Sequence, residues 1–328
     1  MERTGKGMVS AMAATPAISI VMPLFNKATQ VLDTVASVAT QTVDDWELVV
    51  VDDGSTDGGP ALVRALGDAR IRVVSQANAG VSSARNRGID LANAKLITFL
   101  DADDLWLPEF LATVLSLQTD FPAAGWFATG YEIRPVQGAS YKSRLRGPAI
   151  NFSRGILLDY FNVAIVSDPP VCSSAIAVRR DAIKAIGGFP VGVGSGEDLL
   201  TWARLAVRFP LAYEARPLAV FVMSGIERPP DAANRVGKAM EQLVRENHAV
   251  VGLRSYLGLW YRMQAVMAMR FNDIALTRHR ALLSVRSGPY QIRNIYTLIL
   301  AVLPAAWGRA LDTRVRSLIS KLKGNAAS

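Results

Sequence analysis

An apolar run ends abruptly in three carboxylates at Phe99-Leu100-Asp101-Ala102-Asp103-Asp104. On an extended chain, side chains at i and i+2 project to the same side, so Asp101 and Asp103 can converge on one hard divalent cation. The alternative for such a cluster is a solvated loop that caps the helix opening near Pro108. Two further acidic stretches follow glycine or precede it: Asp52-Asp53-Gly54-Ser55-Thr56-Asp57, and Gly194-Ser195-Gly196-Glu197-Asp198. In the first, glycine and short polar residues favour a tight turn and cap the next helix. In the second, two acids open an apolar-periodic helix where the helix dipole favours negative charge.

These residues need elements to hold them. Lys95 to Leu100 reads as a short buried strand because it has almost no polar face. Ile18 to Met22 is a first strand stopped by Pro23, and Thr29 to Thr40 has the apolar spacing of a helix. Strands follow at Trp46 to Val51 and Ile71 to Val74, with a helix over Val81 to Ala92. This is a βαβαβαβ series, the pattern of a mostly parallel sheet with helices on both faces. Ligands in such sheets sit at the carboxyl ends of the strands, where Pro23 to Lys27, Asp52 to Asp57 and Asp101 to Asp104 fall. Neither G-x-G-x-x-G after the first strand nor G-x-x-x-x-G-K-[ST] is present, so a dinucleotide fingerprint and a P-loop are excluded.

Farther on, Pro108 opens a helix to about Gln118, Ala124 to Tyr131 and Ser173 to Val178 read as strands, and Arg180 to Ile186 as a helix ended by Gly187-Gly188. Residues 132–160 carry scattered arginine and lysine without a period and read as a variable loop near an acceptor. From Asp231 onward the pattern is helical.

The 328 residues are 50% hydrophobic, enough to bury a full core. One cysteine, Cys172, excludes an internal disulfide framework, and two histidines, His248 and His279, leave no Cys/His set for structural zinc. A reducing, cytoplasmic compartment fits. Residues 238–328 hold 14 Lys/Arg against 4 Asp/Glu, and the rest of the chain 22 against 24, which together give the net +8. The asymmetry predicts a nearly neutral body and a basic tail that meets something anionic. Residues 1–16 lack an apolar core and read as a leader rather than a secretory signal. The longest uncharged run, Asn294 to Gly308, is shorter than the ~20 residues that span a bilayer.

Four stretches in order resemble glycosyltransferase family 2: Ser19 to Lys27, Val50 to Asp57, Gly80 to Gly88, and Leu100 to Asp104. The resemblance covers about residues 17–222. It implies an α/β GT-A (Rossmann-like) fold, a mixed and mostly parallel sheet flanked by helices over 17–230, with an α-helical extension over 231–328. It also implies inverting, metal-dependent transfer of one sugar from a nucleotide-diphosphate donor to a hydroxyl of a glycan or lipid-linked acceptor. Bacterial cell-surface polysaccharide synthesis by a hexosyltransferase-type enzyme is the expected setting. Carried over by motif, Pro23, Phe25 and Asp53 surround base and ribose, with Asp53 accepting from the pyrimidine. Arg85 and Asn86 line the nucleotide site, with the ion pair of Arg85 to local acids as the alternative. Asp101 and Asp103 match the D-x-D motif, with Asp103 the direct ligand of magnesium or manganese and Asp101 assisting. The resemblance makes Asp198 the general base, with Glu197 second.

The histidine that many relatives carry after the last core strand is absent from Ala219 to Gly225, as is the Q-x-x-R-W signature of processive synthases. The tail has two readings. Its helices either pack on the enzyme, or place Trp, Tyr and Leu in the headgroup boundary of an anionic membrane while Arg and Lys meet lipid. Competing functions are a nucleotidyltransferase making the nucleotide-sugar, which would carry a glycine-rich segment after the first strand, and a non-catalytic protein binding through its basic tail. No nucleic-acid motif accompanies the charge, so no nucleic-acid partner is expected.

Overall fold

The computed structural model describes residues 15–147, 153–225 and 229–303; most of the expected leader, and the tail beyond 303, lie outside the described residues. Strand β1 (Ile18–Leu24) is the centre of the first half. Its Ile18, Ile20, Val21, Met22 and Leu24 are fully buried, as a strand covered on both faces requires. After α1 (Val31–Ala39), β2 (Trp46–Asp52) pairs in parallel with β1, Ile18 opposite Trp46 and Leu24 opposite Asp52. Helix α2 (Gly59–Ala65) leads to β3 (Ile71–Ser75), parallel to β2. Helix α3 (Val81–Leu91) then crosses to β4 (Leu96–Phe99), parallel to β1 on its other side. At Gly88 helix α3 meets the sheet so closely that an added Cβ would stand 2.2 Å from Cγ1 of Val21.

The second half reverses direction. It runs through β5 (Leu105–Trp106), α4 (Phe110–Asp120), β6 (Trp126–Arg134), β7 (Tyr141–Lys142), β8 (Arg154–Leu157) and α5 (Tyr160–Val166). Then come β9 (Ile176–Arg179), α6 (Arg180–Ala185), α7 (Glu197–Arg208) and β10 (Leu211–Val222). The strand order is β3-β2-β1-β4-β9-β6-β10-β5. Strand β9 is antiparallel to both β4 and β6, whereas β6 and β10 are parallel, so the sheet is mixed and flanked by helices as expected.

Two segments differ from their sequence expectation. Within 132–160, expected as loop, β7 pairs with β6 and β8 pairs antiparallel with β10, Leu211 opposite Leu157; residues 148–152 lie outside the described residues. These strands are too short for alternation to register, and their backbone groups are satisfied by neighbours distant in sequence. The strand expected over Ser173 to Val178 begins only at Ile176, because Ser173–Ala175 form a 3-10 turn, and β10 is irregular at Pro217. In the structure the register against β6 shifts on either side of Pro217 and pairing resumes at Ala219.

The C-terminal region is helical, as expected: α8 (Arg235–Glu246), α9 (Leu253–Arg270), α10 (Ile274–Ser287) and α11 (Ile292–Val302). The hydrophobic core runs across position 230. Leu253, Tyr256, Leu257, Trp260 and Tyr261 of α9 are buried in one cluster with Phe161, Trp202 and Phe189. Burying one such side chain contributes roughly 1.5–3 kcal/mol. Removing the chain from α9 onward would therefore uncover the enzyme core, and point substitutions are the sound probes of this region. Among the described residues no helix is long and apolar enough to cross a membrane.

Candidate active site

The carboxyl ends of β1, β2 and β4 open on one edge of the sheet, and the loops leaving them bind one another. After β1, Asn26 takes a positive φ of 52° that turns its side-chain oxygen to the backbone N–H of Thr56, at 2.8 Å. Asp57 Oδ2 accepts from Ala28 N at 2.7 Å and its Oδ1 from Gly59 N at 3.0 Å. These two amide donors hold the Asp57 carboxyl below the usual range. Pro23 lies half-buried at the same edge and Phe25 presents its ring there, 47% exposed.

Asp53, buried just past β2, holds the turn that leads into α3. Its Oδ1 accepts from Gln76 Nε2 at 2.7 Å and Ala79 N at 2.9 Å, and its Oδ2 accepts from Gly80 N at 2.8 Å. Glycine suits position 80, whose φ is +89°.

The acids after β4 divide into three roles. Asp103 Oδ2 accepts from Lys27 Nζ at 2.6 Å, which ties the loop after β4 to the loop after β1. Asp101 Oδ1 accepts from Arg85 Nη2 at 2.6 Å. Asp104 is buried: its Oδ2 accepts from Ser174 Oγ at 2.6 Å and its Oδ1 from Val222 N at 2.8 Å. Burial first, and the charge of Asp101 second, push the Asp104 carboxyl well above the usual range. The same Ser174 Oγ accepts from Asp101 N at 3.1 Å, so the acidic loop is pinned to the turn before β9 as well as to the end of β10.

Arg85 joins the two acidic motifs. Only 2% exposed on α3, it reaches Asp101 with Nη2 and Glu197 Oε1 with Nη1 at 3.4 Å. Burial pulls the guanidinium pKa down, but the charges of Asp101 and Glu197 outweigh it and raise it above its ordinary value. Its guanidinium also lies 5.1 Å from the centroid of the Phe189 ring. Next to it, Asn86 Nδ2 donates to Phe189 O and Asn86 Oδ1 accepts from Phe189 N, both at 2.8 Å. Asn86 thus anchors the loop that carries Glu197 and Asp198.

Glu197 and Asp198 open α7 behind Gly196, whose φ is +79°. Asp198 Oδ1 accepts from Leu199 N at 2.7 Å. Burial first and the neighbouring Glu197 carboxylate second push the Asp198 carboxyl up to about 7, while Leu199 N–H and Arg85 pull the other way. Beneath this turn stand Phe99 and Phe189 with ring centroids 5.1 Å apart, Phe189 and Trp202 at 5.7 Å, and Tyr160 and Tyr256 at 6.2 Å. Trp260 of α9 fills the space against Gly196, where a Cβ would meet the indole at 2.3 Å. Gly196→Ala is therefore expected to destabilise the fold by roughly 1–3 kcal/mol through overpacking and positive-φ strain. A thermal melt of the variant checks this.

Most residues singled out from sequence thus meet in one connected network. Asp101, Arg85, Glu197 and Asp198 form its centre, Asp103 is tied in through Lys27, and Asn86 anchors one of its loops. Asp53 and Phe25 stand to one side, at the β2 and β1 ends. Sequence reasoning passed over Lys27, Ser174 and Trp260. Lys27 lay inside a matched stretch and is the nearest cation to the D-x-D acids in that loop; Ser174 and Trp260 carry no local signal.

A divalent cation fits this edge. Asp103 and Asp101 are 18% and 30% exposed and use one oxygen each on Lys27 and Arg85, which leaves the other oxygen of each for a ligand among the described residues. No three His, Cys, Asp or Glu side chains among the described residues are placed to hold a metal ion by themselves. The set suits magnesium or manganese, which take one or two carboxylates and complete their shell from water and substrate phosphates.

The sequence model of glycosyl transferase family 2 matches residues 19–187. An uncharacterized glycosyltransferase of Rickettsia bellii is 29% identical over 195 residues, 58% of this chain and 26% of that protein. The UDP-Glc:alpha-D-GlcNAc-diphosphoundecaprenol beta-1,3-glucosyltransferase WfgD of Escherichia coli is 36% identical over 101 residues, 30% of this chain and 40% of that enzyme. This chain thus spans well under two thirds of the length of either relative. The crystal structure of S. aureus TarS 1-349 in complex with UDP-GlcNAc superposes with a TM-score of 0.61 over 87% of this chain and 90% of that one. At 16% sequence identity the likeness is one of fold, the GT-A arrangement of sheet and flanking helices.

Proposed function

This chain belongs to glycosyl transferase family 2, and from that premise we propose that it transfers one sugar, with inversion, from a nucleotide-diphosphate donor to a hydroxyl of a glycan or lipid-linked acceptor in surface polysaccharide synthesis. The observation that carries the reading is Arg85, buried between Asp101 and Glu197. It couples the end of the edge suited to a diphosphate to the end suited to an acceptor. The relative named for a diphosphoundecaprenol acceptor favours a lipid-linked substrate.

In this scheme Phe25 and Pro23 pack on the base, and Asp53 holds the 76–80 turn and accepts from the pyrimidine. Asp103, with Asp101, holds the divalent ion. When bound, that ion supplies positive charge to the departing diphosphate. Lys27 adds a second cation beside Asp103. Asp198, poised by burial and by Glu197, takes the proton from the acceptor hydroxyl on the opposite face. Glu197 holds Arg85 and keeps the base turn in register with Asp101. Direct displacement needs no covalent sugar intermediate.

The experiment is a panel of nucleotide-sugars with magnesium or manganese, read by thermal stabilisation and donor hydrolysis. A donor present at about 100 times its Kd stabilises by about 2.7 kcal/mol, enough for a clear shift of the melt. One nucleotide-sugar should stabilise wild type in a metal-dependent way, and Asp103→Ala should abolish the metal-dependent part. No stabilisation or hydrolysis with any donor, or pyrophosphate release from a nucleoside triphosphate, would argue against transfer.

A further inference from the structure

Helix α11 buries two polar side chains, Asn294 and Thr297, and leaves four large apolar ones exposed. Asn294, Thr297 and Ala301 are buried, whereas Ile292, Ile295, Ile299 and Val302 are exposed. At spacings of three, four and three residues these four share one helix face. The inward set is fixed by hydrogen bonds: Asn294 Nδ2 donates to Ser284 O at 3.0 Å and to Gly288 O at 3.1 Å. The helix cannot roll its isoleucines inward without stranding that amide and those carbonyls. The apolar ridge is therefore held outward by the fold, and Ile292 is 81% exposed at its start.

The charge around the ridge has one sign. Between Asn247 and Leu303 the chain has seven arginines, two histidines and a single acid, Asp273. That acid is engaged in its own helix, where its Oδ1 accepts from Leu276 N at 2.9 Å. Arg262 of α9 stands near Arg293 of α11; burial first, and the charge of Arg293 second, hold the Arg262 guanidinium below its ordinary value. Arg293, exposed one residue on from Ile292, puts a guanidinium at the N-terminal end of the isoleucine ridge, with Arg262 near it.

We propose that the exposed face of α11, with Arg262 and Arg293 beside it, docks on an anionic lipid bilayer. The isoleucines enter the boundary between headgroups and acyl chains, and the guanidiniums meet lipid phosphates. The crest offers no hydrogen-bonding side chain with which to read a particular protein surface, and a bilayer requires none. A helix of this kind lies in the interface rather than across it. Docking stands apart from the transfer reaction, so either can fail without the other.

The test is cosedimentation of the full chain with vesicles of phosphatidylglycerol and phosphatidylcholine, and with phosphatidylcholine alone. Wild type should bind the anionic vesicles, and weaken as salt rises. Ile295→Asp/Ile299→Asp should lose that binding. Arg262→Gln/Arg293→Gln should weaken it about 30-fold, from two basic contacts near an anionic surface. Leu158→Asp, at an exposed position in the loop between β8 and α5, should leave it unchanged. The substituted isoleucines are exposed, so circular dichroism melts should match wild type. Absence of wild-type binding, or equal binding by the double-aspartate variant, would overturn the proposal. So would a vesicle-free dimer that this variant abolishes, which would assign the ridge to a second copy of the chain.

Discussion

Asp198→Asn should lower sugar transfer about 10²–10⁴-fold while leaving donor affinity at its wild-type value, the signature of a lost general base. The pH dependence carries the sign. A base must be ionised to accept a proton, and the Asp198 carboxyl is pushed up to about 7 by burial and by Glu197. Wild-type transfer is therefore expected to rise with pH to a midpoint near 7 and to level above it, and the residual rate of the asparagine variant should lack that limb. Glu197→Gln removes the like-charge neighbour, so its limb should move to lower pH with transfer retained. Stopped assays across the pH range, with donor affinity measured separately, check all three. Abolished transfer in Glu197→Gln, with Asp198→Asn still active, would move the base to Glu197.

Arg85→Met is expected to cost about 3–5 kcal/mol of stability, because it leaves Asp101 and Glu197 facing each other at a buried junction without their shared cation. The side chain is 2% exposed and reaches both acids, so its removal takes the shared cation from each. Transfer should fall in the same variant even at temperatures where it stays folded, since the D-x-D loop and the base turn lose their common anchor. Chemical denaturation gives the first quantity and assays well below the melting temperature the second. A stability loss within ~0.5 kcal/mol, the range of ordinary surface substitutions, would mean that the two ion pairs are incidental.

The alternation of strand and helix through Leu100 was legible in the sequence because β1, β2 and β4 are apolar on both faces and each strand is bounded by a turn. The same feature made the edge legible: Asp53, Asp101 and Asp103 each follow directly on a buried run. What stayed hidden depends on contacts between segments remote in sequence. Strand β8 exists because Leu211 to Glu214 offer it a partner. Pro217 masks the continuity of β10. Asn86 carries no mark showing that its amide closes on Phe189 rather than on a ligand. Motif matching placed Arg85 beside a nucleotide, while the alternative of an ion pair with local acids describes its contacts in the structure.

The C-terminal helices also acquire a catalytic context that composition alone could not supply. Their charge suggested an anionic partner, but Trp260 against Gly196 and Tyr256 in the core show α9 supporting the turn that carries Glu197 and Asp198. The proposed docking face and the core beneath Asp198 thus belong to the same bundle.

The central claim is direct displacement between a diphosphate held near Asp103 and a hydroxyl activated by Asp198. It is tested most directly by the anomeric configuration of the new glycosidic linkage formed from a donor of known configuration, read by proton coupling constants of the transfer product. Inversion is the predicted result. Retention would require a second displacement or a front-face route, and would contradict the assignment of Asp198 as the base in a single step.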